Sequence, residues 1–268
     1  MTRNYLFMSL KHNLKDTIER LGFKITRPRL YPELSLPDGN WIDPQKIVEY
    51  EILKYGKTFR MLQIGSNDGA SSDPVVDLLK KYTFEAILIE PQRVPFQSLL
   101  ALHENRPLTR LLNCAVGKVD GLEKFYSVKP DKLSLFPGIG STHFGFLKDQ
   151  LISQLASVRP DLRNFENFLE VSEVPTRNVQ SVLEEFEFHT LNFLQIDTEG
   201  YDAEIIYSLD LEVVSPHIIN FEHTLLSSPE RETLYRYLED KGFSVVFHGN
   251  SSGDSTAYKK QIFSKILP

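Results

Sequence analysis

The nine residues Gln63–Ser71, QIGSNDGAS, follow the apolar pair Met61–Leu62 and precede the helix-patterned run SDPVVDLLKKY. A buried strand, a glycine turn and a helix in that order open a βαβ unit, the usual cradle for a nucleotide-like ligand. The dinucleotide fingerprint needs three glycines as G-x-G-x-x-G, one for the turn, one for pyrophosphate approach and one for helix packing. Here Gly65 and Gly69 stand as G-x-x-x-G, so the second and third needs are unmet, and the Gly-Lys-Ser/Thr ending of a P-loop is absent. The turn offers Ser66, Asn67 and Asp68 beside its two glycines. Backbone N–H groups and a carboxylate suit the carboxylate and ammonium of an amino acid better than a diphosphate.

Outward from this turn, short apolar runs alternate with helical patterns. RMLQIG, EAILIEP and TRLLNCAVG are separated by DPVVDLLKKY and PFQSLLALHEN. After a middle region come NVQSVLEEFEF, LNFLQID, YDAEIIYSLD, HIINFEH, SPERETLYRYLEDKG and FSVVFHG. Strands spaced by helices predict an α/β fold with a parallel sheet buried on both faces. FSVVFHG, the turn NSSGD and STAYKKQIF predict a closing antiparallel hairpin. Residues 1–58 read as a helical N-terminal extension, with a helix near Leu10–Leu21, prolines at 28, 32 and 37, and a second helix over Asp43–Tyr55. Residues 59–268 read as the main domain. Its insert at about 117–175 contains the expected hairpin GKVDGLEKFYSV and the glycine-rich loop FPGIGSTHFGF.

A chain of 268 residues, 41% apolar and 25% charged, is long enough to bury a full core. Its net charge of -6 leaves no basic footprint, so a small-molecule or glycan acceptor is expected rather than a nucleic acid. The single cysteine, Cys114, excludes an internal disulfide framework and a multi-cysteine zinc site. The first residues scatter charges among apolar ones, and no run nears membrane-spanning length, so a soluble cytoplasmic protein with no membrane partner is expected.

The ends of the next strands extend the ligand argument. Glu90, in Ile89-Glu90-Pro91, stands 25 positions after Gly65 (90 minus 65), about where an acid binds a ribose diol in nucleoside-binding α/β folds. Asn113, Cys114, Ala115 and Val116 offer an amide and small side chains to frame an adenine. An amino-acid turn, a ribose acid and a base frame together describe S-adenosylmethionine.

The ordered blocks LQIGSNDGASSDPV, ILIEPQ, LLNCAVGKVDGLEKFY, FLQIDTEGYDAEIIYSLD, PHIINFEH and GDSTAY run from about Arg60 to Tyr258. Over this span the chain resembles the FkbM-type methyltransferases, a family of S-adenosylmethionine-dependent enzymes with the class I, Rossmann-like methyltransferase fold. IDTEGYDAEII is the most specific block, and Ser66 stands where the family commonly has alanine. The resemblance implies a mixed seven-stranded sheet with helices on both faces. It implies a cofactor pocket lined by Gly65, Asn67, Asp68, Gly69, Glu90 and the segment Asn113, Cys114, Ala115 and Val116, and Ser66, Pro91, Gln92 and Asp197 are further candidates for the same pocket. It also implies O-methylation of a hydroxyl on a sugar, glycan or secondary metabolite.

The acidic block places Asp197, Glu199, Asp202 and Glu204 within eight positions (197 to 204). Asp202 and Glu204 fall in the first turn of a helix, where the dipole favours acids, and read as structural. Asp197, at the carboxyl edge of the sheet, is placed to orient the methionine ammonium, act as base or ligate a metal. The next strand ends in Glu222 and His223, and His223 is the expected general base, oriented by Asp197 or Glu222. His143, with Ser141 and Thr142 in the glycine-rich loop, is the second candidate. No His-x-x-x-His spacing occurs, but some class I O-methyltransferases hold a divalent cation on acids at these two strand ends, so magnesium on Asp197 and Glu222 is a further expectation. Trp41, Phe136, Phe144 and Phe146 are candidates to line the acceptor pocket.

Two rival readings share parts of this pattern. An NAD(P)-binding oxidoreductase would share the sheet and Glu90 but needs the absent glycines and a hydride-site pair such as Tyr-x-x-x-Lys. A catalytically inactive methyltransferase fold serving as a binding module would not need the acids at the strand ends.

Overall fold

The computed structural model describes residues 44–70, 75–137, 139, 144–247 and 253–263. The predicted helix near Leu10–Leu21, Trp41, and the loop residues Ser141, Thr142 and His143 lie outside them. In chain order the elements are α1 (Pro44–Tyr55), β1 (Arg60–Ile64), α2 (Val76–Lys81), β2 (Glu85–Ile89), α3 (Arg93–His103), β3 (Thr109–Leu112), β4 (Ala115–Gly117), β5 (Gly121–Val128), β6 (Phe144–Gly145) and α4 (Lys148–Val158). The second half comprises β7 (Leu169–Asn178), α5 (Val179–Glu185), β8 (Phe193–Ile196), α6 (Asp202–Ser208), β9 (Ile218–Glu222), α7 (Ser228–Asp240), β10 (Phe243–Phe247), β11 (Asp254–Lys259) and α8 (Lys260–Phe263).

Seven strands form one mixed sheet in the order β10-β11-β9-β8-β1-β2-β3. The five from β9 to β3 are parallel, and β11 runs antiparallel to both β9 and β10. This is the class I arrangement with its closing hairpin. Period-two alternation assigns each strand's side chains to two faces. Leu62, Ile64, Ile87, Leu194, Ile196 and Ile219 pack one way, with Val182 and Leu183 of α5, Ile205 and Ile206 of α6 and Leu234 and Leu238 of α7. Met61, Ala86, Leu88, Phe193 and Ile218 pack the other way, with α1, α2, α3 and α8. Both faces are covered, which is why the parallel strands read as continuous apolar runs.

Helix α1 is built into this second face through Ile47, Val48 and Ile52. Its buried Glu51 meets His217 Nδ1, just before β9. Pairing a buried carboxyl with an imidazole offsets part of the desolvation that either would suffer alone. Helix α7 starts at a capping box, Ser227 with Glu230.

Two local expectations are corrected. TRLLNCAVG is not one strand: Asn113 turns the chain, its side-chain amide donating to the Glu90 and Pro91 carbonyls at 2.9 and 3.1 Å. Residues 115–117 then pair with β7 in a second sheet. GKVDGLEKFYSV is not a hairpin either. Its strand β5 pairs with β7, from Gly121↔Thr176 to Val128↔Leu169, so its partner is distant in sequence. The second sheet has the order β4-β7-β5-β6 and carries its own small core, in which Val128, Phe136, Leu151, Leu155 and Leu169 meet.

Candidate functional site

A cavity of about 630 Å³, solvent at its mouth included, opens at the carboxyl edge of β8, β1 and β2. It lies where open α/β sheets bind ligands. Its floor is the turn after β1. Gly65 has φ +82°, and its N–H and that of Ser66 both donate to the Ile89 carbonyl, at 2.9 and 3.0 Å. An added Cβ at Gly65 would stand 1.7 Å from the Asp197 carbonyl oxygen. The tips of β1 and β8 therefore touch backbone to backbone, and only glycine fits between them.

Asn67 follows in the left-handed region at φ 47° and donates its N–H to Glu90 Oε2 at 2.8 Å. Gln92 N–H donates to Glu90 Oε1 at 2.7 Å. Glu90 is 4% exposed, and burial pushes its pKa up to about 7 against the pull of these two bonds. Each oxygen accepts one backbone donor and keeps lone-pair capacity for another, so Glu90 can fix the glycine turn and still accept two hydroxyls. Glu90→Gln places an amide N–H₂ against one of those donors. Calorimetry with S-adenosylhomocysteine should then show a loss of about tenfold or more, the scale of one lost charge-assisted hydrogen bond. Unchanged affinity would remove Glu90 from the site.

Carboxyl groups crowd the opposite end. Asp197 is exposed to the cavity that it lines, at the tip of β8. Desolvation first, then the charges of Asp202, Glu222, Glu199 and Asp254, push its pKa up to about 8, a rise moderated by water in the cleft. Glu222 is pushed to about 7 by burial, opposed by its bond from Thr224. Asp202 is fully buried, and its pKa is raised to about 6 by desolvation. It accepts from Thr198 N–H at 3.2 Å, Thr198 Oγ1 at 2.7 Å and Glu222 N–H at 3.0 Å. Asp202 is thus structural, as expected, by a means the helix-dipole argument did not supply: it ties the end of β8 to the end of β9.

Of the expected cofactor residues, Gly65, Asn67, Glu90, Pro91, Gln92, Cys114, Ala115 and Asp197 line the cavity. Ser66, Asp68, Gly69 and Asn113 do not; they build the turns. Ser66 is buried under the loop, Asp68 Oδ1 accepts from Ala70 N–H at 2.9 Å, and a Cβ at Gly69 would meet Leu99 Cδ1 at 2.6 Å.

The expectation for His223 is corrected. The ring is 0% exposed, with Nδ1 3.0 Å from Ser255 Oγ and the Phe247 ring against it. Alternation along β9 turns His223 away from Glu222, so it cannot take a proton from a molecule in the cavity. Glu222 also lies outside the cavity lining, beside it at the strand tip. Among the described residues no group of three or more His, Cys, Asp or Glu side chains could hold a metal ion, so the expected magnesium site at Asp197 and Glu222 finds no support. Phe136 belongs to the insert's core rather than to a pocket, and Phe144's side chain lies outside the description.

The cavity also uses Thr198, Glu199, Phe125 and Phe146, for which the sequence reading assigned no cofactor contact. Thr198 and Glu199 were within reach of a simple rule, since they follow directly on a strand end. Phe125 was not, because its arrival depends on the distant β5–β7 pairing.

Residues 63–245 match the family model described as Methyltransferase FkbM domain. No curated protein matches the chain. Among solved structures, the methyltransferase FkbM from Methylobacillus flagellatus KT is similar at 13% identity and a TM-score of 0.46, over 75% of this chain and 43% of that one. The chain thus spans less than half the length of that relative. The O-methyltransferase from Bacillus cereus in complex with SAH is similar at 9% identity and a TM-score of 0.41, over 92% of this chain and 97% of that one. Among the described residues no helix is long and apolar enough to cross a membrane.

Proposed function

The chain belongs to the FkbM methyltransferase family, and from that premise we propose that it O-methylates a hydroxyl of a sugar, glycan or secondary metabolite, with S-adenosylmethionine as donor. The observation that carries the cofactor assignment is Glu90, a buried acid at the tip of β2 that holds the glycine turn and keeps acceptor capacity toward the cavity. That donor set fits a ribose diol. The cavity offers backbone groups of the Gly65–Asn67 turn and the carboxyl of Glu199 to an amino-acid end, and Cys114–Val116 to a base.

When bound, S-adenosylmethionine supplies an electrophilic methyl group on a sulfonium. The chain's own part is positioning and proton transfer. With His223 buried, Asp197 is the proton acceptor that best suits the geometry, because it opens into the cavity and a carboxyl raised toward neutral pH is a stronger base than an ordinary one. Asp197 would take the acceptor's O–H proton, and the bound donor would supply the methyl group, its sulfur–carbon bond breaking to leave S-adenosylhomocysteine. Asp202 keeps this edge in place by holding Thr198 and Glu222.

Titration calorimetry with S-adenosylmethionine and with NAD tests the cofactor. Heat from the first alone is expected, and binding of NAD alone would turn the reading to an oxidoreductase. Incubation with candidate metabolites should then add the mass of one CH₂ to a hydroxyl-bearing compound. Tight cofactor binding with no transfer to any acceptor would favour a binding module.

A further inference from the structure

Phe146 has no part in the reading above, yet three elements shape its position at the cavity. It follows β6, the short edge strand of the insert. At Gly117, the last residue of β4, an added Cβ would stand 3.3 Å from Phe146 Cζ and 3.3 Å from Thr176 Cγ2, so glycine there leaves a seat for the ring. The Phe125 ring meets it edge-on at a centroid distance of 4.2 Å, and the Tyr201 ring lies 4.7 Å away at a tilt. Phe125 is buried with Ala115 and Val174. Phe146 packs on that group and stays half-buried where it lines the cavity.

The strand order gives the cavity a chemical direction. Along the carboxyl edge, β8, β1, β2 and β3 present in turn the acids, the glycine turn, Glu90 and the segment Cys114–Val116. Charge gives way to apolar surface, with Phe125 beside Ala115 and Phe146 reaching from Gly117 across to Tyr201. A flat heteroaromatic ring meets such a surface best by stacking on an aromatic face.

We propose that Phe146 is the face against which the cofactor's purine lies, so that the four-stranded insert is part of the cofactor site and Phe146 is not an acceptor wall. This rests on reading the cavity as the S-adenosylmethionine site. The insert then does more than cover the sheet: its β5–β7 pairing sets Phe125, Phe125 braces Phe146, and Phe146 completes the pocket.

Calorimetry on the full chain with S-adenosylhomocysteine, adenosine and methionine tests this, with thermal melting to confirm folding. The wild type is expected to bind both adenosine-containing ligands. Phe146→Ala should weaken both by the same factor, about tenfold, as expected for loss of one base–aromatic stack, and Phe146→Trp should restore them. A wild type that binds S-adenosylhomocysteine and a Phe146→Ala variant that binds it equally well would overturn the inference. So would a loss that tryptophan fails to restore or that spares adenosine, since either marks packing alone. A wild type that binds neither cofactor nor product removes the proposed function itself, and the inference with it.

Discussion

Gly65→Ala is expected to lower folding stability by about 3–5 kcal/mol and to remove cofactor binding with it, the sum of a strained backbone and an overpacked contact. Alanine at φ +82° sits in the left-handed region, and its Cβ would lie 1.7 Å from the Asp197 carbonyl oxygen. Backbone on both sides leaves no flexible side chain to yield, so relief requires the tips of β1 and β8 to part. That motion would break the Asp197 N–H to Ile64 carbonyl bond of 2.9 Å and shift the turn that presents Asn67 to Glu90. Gly242→Ala is the control. Its φ is +83°, but nothing lies within 4 Å of the added carbon, so only the backbone term applies, about 1 kcal/mol. Urea denaturation of both variants checks the contrast. Equal losses would mean that the two strand tips do not meet as described.

The acid edge should make the protein less stable as pH rises from about 6.5 to 8.5, opposite to the usual carboxylate behaviour. Asp202, Glu90, Glu222 and Asp197 have folded pKa values raised to about 6, 7, 7 and 8 from 3.8, 4.5, 4.5 and 3.8. The folded state therefore binds more protons than the unfolded one in this range. The stability they contribute is fully present below the unfolded values and lost as pH passes through the folded ones. For fully buried Asp202 the loss, on the order of 2–3 kcal/mol, falls almost entirely below about pH 6.5, so Glu90, Glu222 and Asp197 carry the decline above it. His103, whose pKa burial lowers from 6.5, works in the other direction below about that pH, so the window above it shows the effect best.

Asp197→Asn should flatten this slope and raise stability at pH 8.5. The gain is on the order of 1 kcal/mol once water in the cleft is allowed for. The same substitution should reduce methyl transfer by about a hundredfold or more, the usual contribution of a general base. Thermal melts at pH 6.5 and 8.5 provide the check: a midpoint that does not fall in the wild type, or an Asp197→Asn variant no more stable at high pH, would count against the account.

Much of the fold was legible because its signals are local. The apolar runs around Leu62, Ile87, Leu194 and Ile219 predict buried parallel strands, and Gly65 and Glu90 mark strand ends where this fold class binds ligands. What misled was also local reasoning. GKVDGLEKFYSV predicts a hairpin because short turns usually join paired strands, whereas β5 pairs with β7 far along the chain. Asn113 looked like a base-framing amide, but its donors are taken by the carbonyls of Glu90 and Pro91. His223 follows Glu222 directly, and adjacency on a strand places neighbours on opposite faces, so sharing a strand end did not mean sharing a site.

The sequence by itself determined the α/β class with its parallel sheet and closing hairpin, the glycine turn and the Glu90 position, because periodicity and turn chemistry act within a few residues. Tertiary structure alone decided that the tips of β1 and β8 touch at Gly65 and that buried Asp202 joins β8 to β9. It decided too that Phe125 and Phe146 reach the cavity from the insert. Each of these is a contact between segments far apart in the chain, fixed by packing and hydrogen bonding that no local pattern encodes.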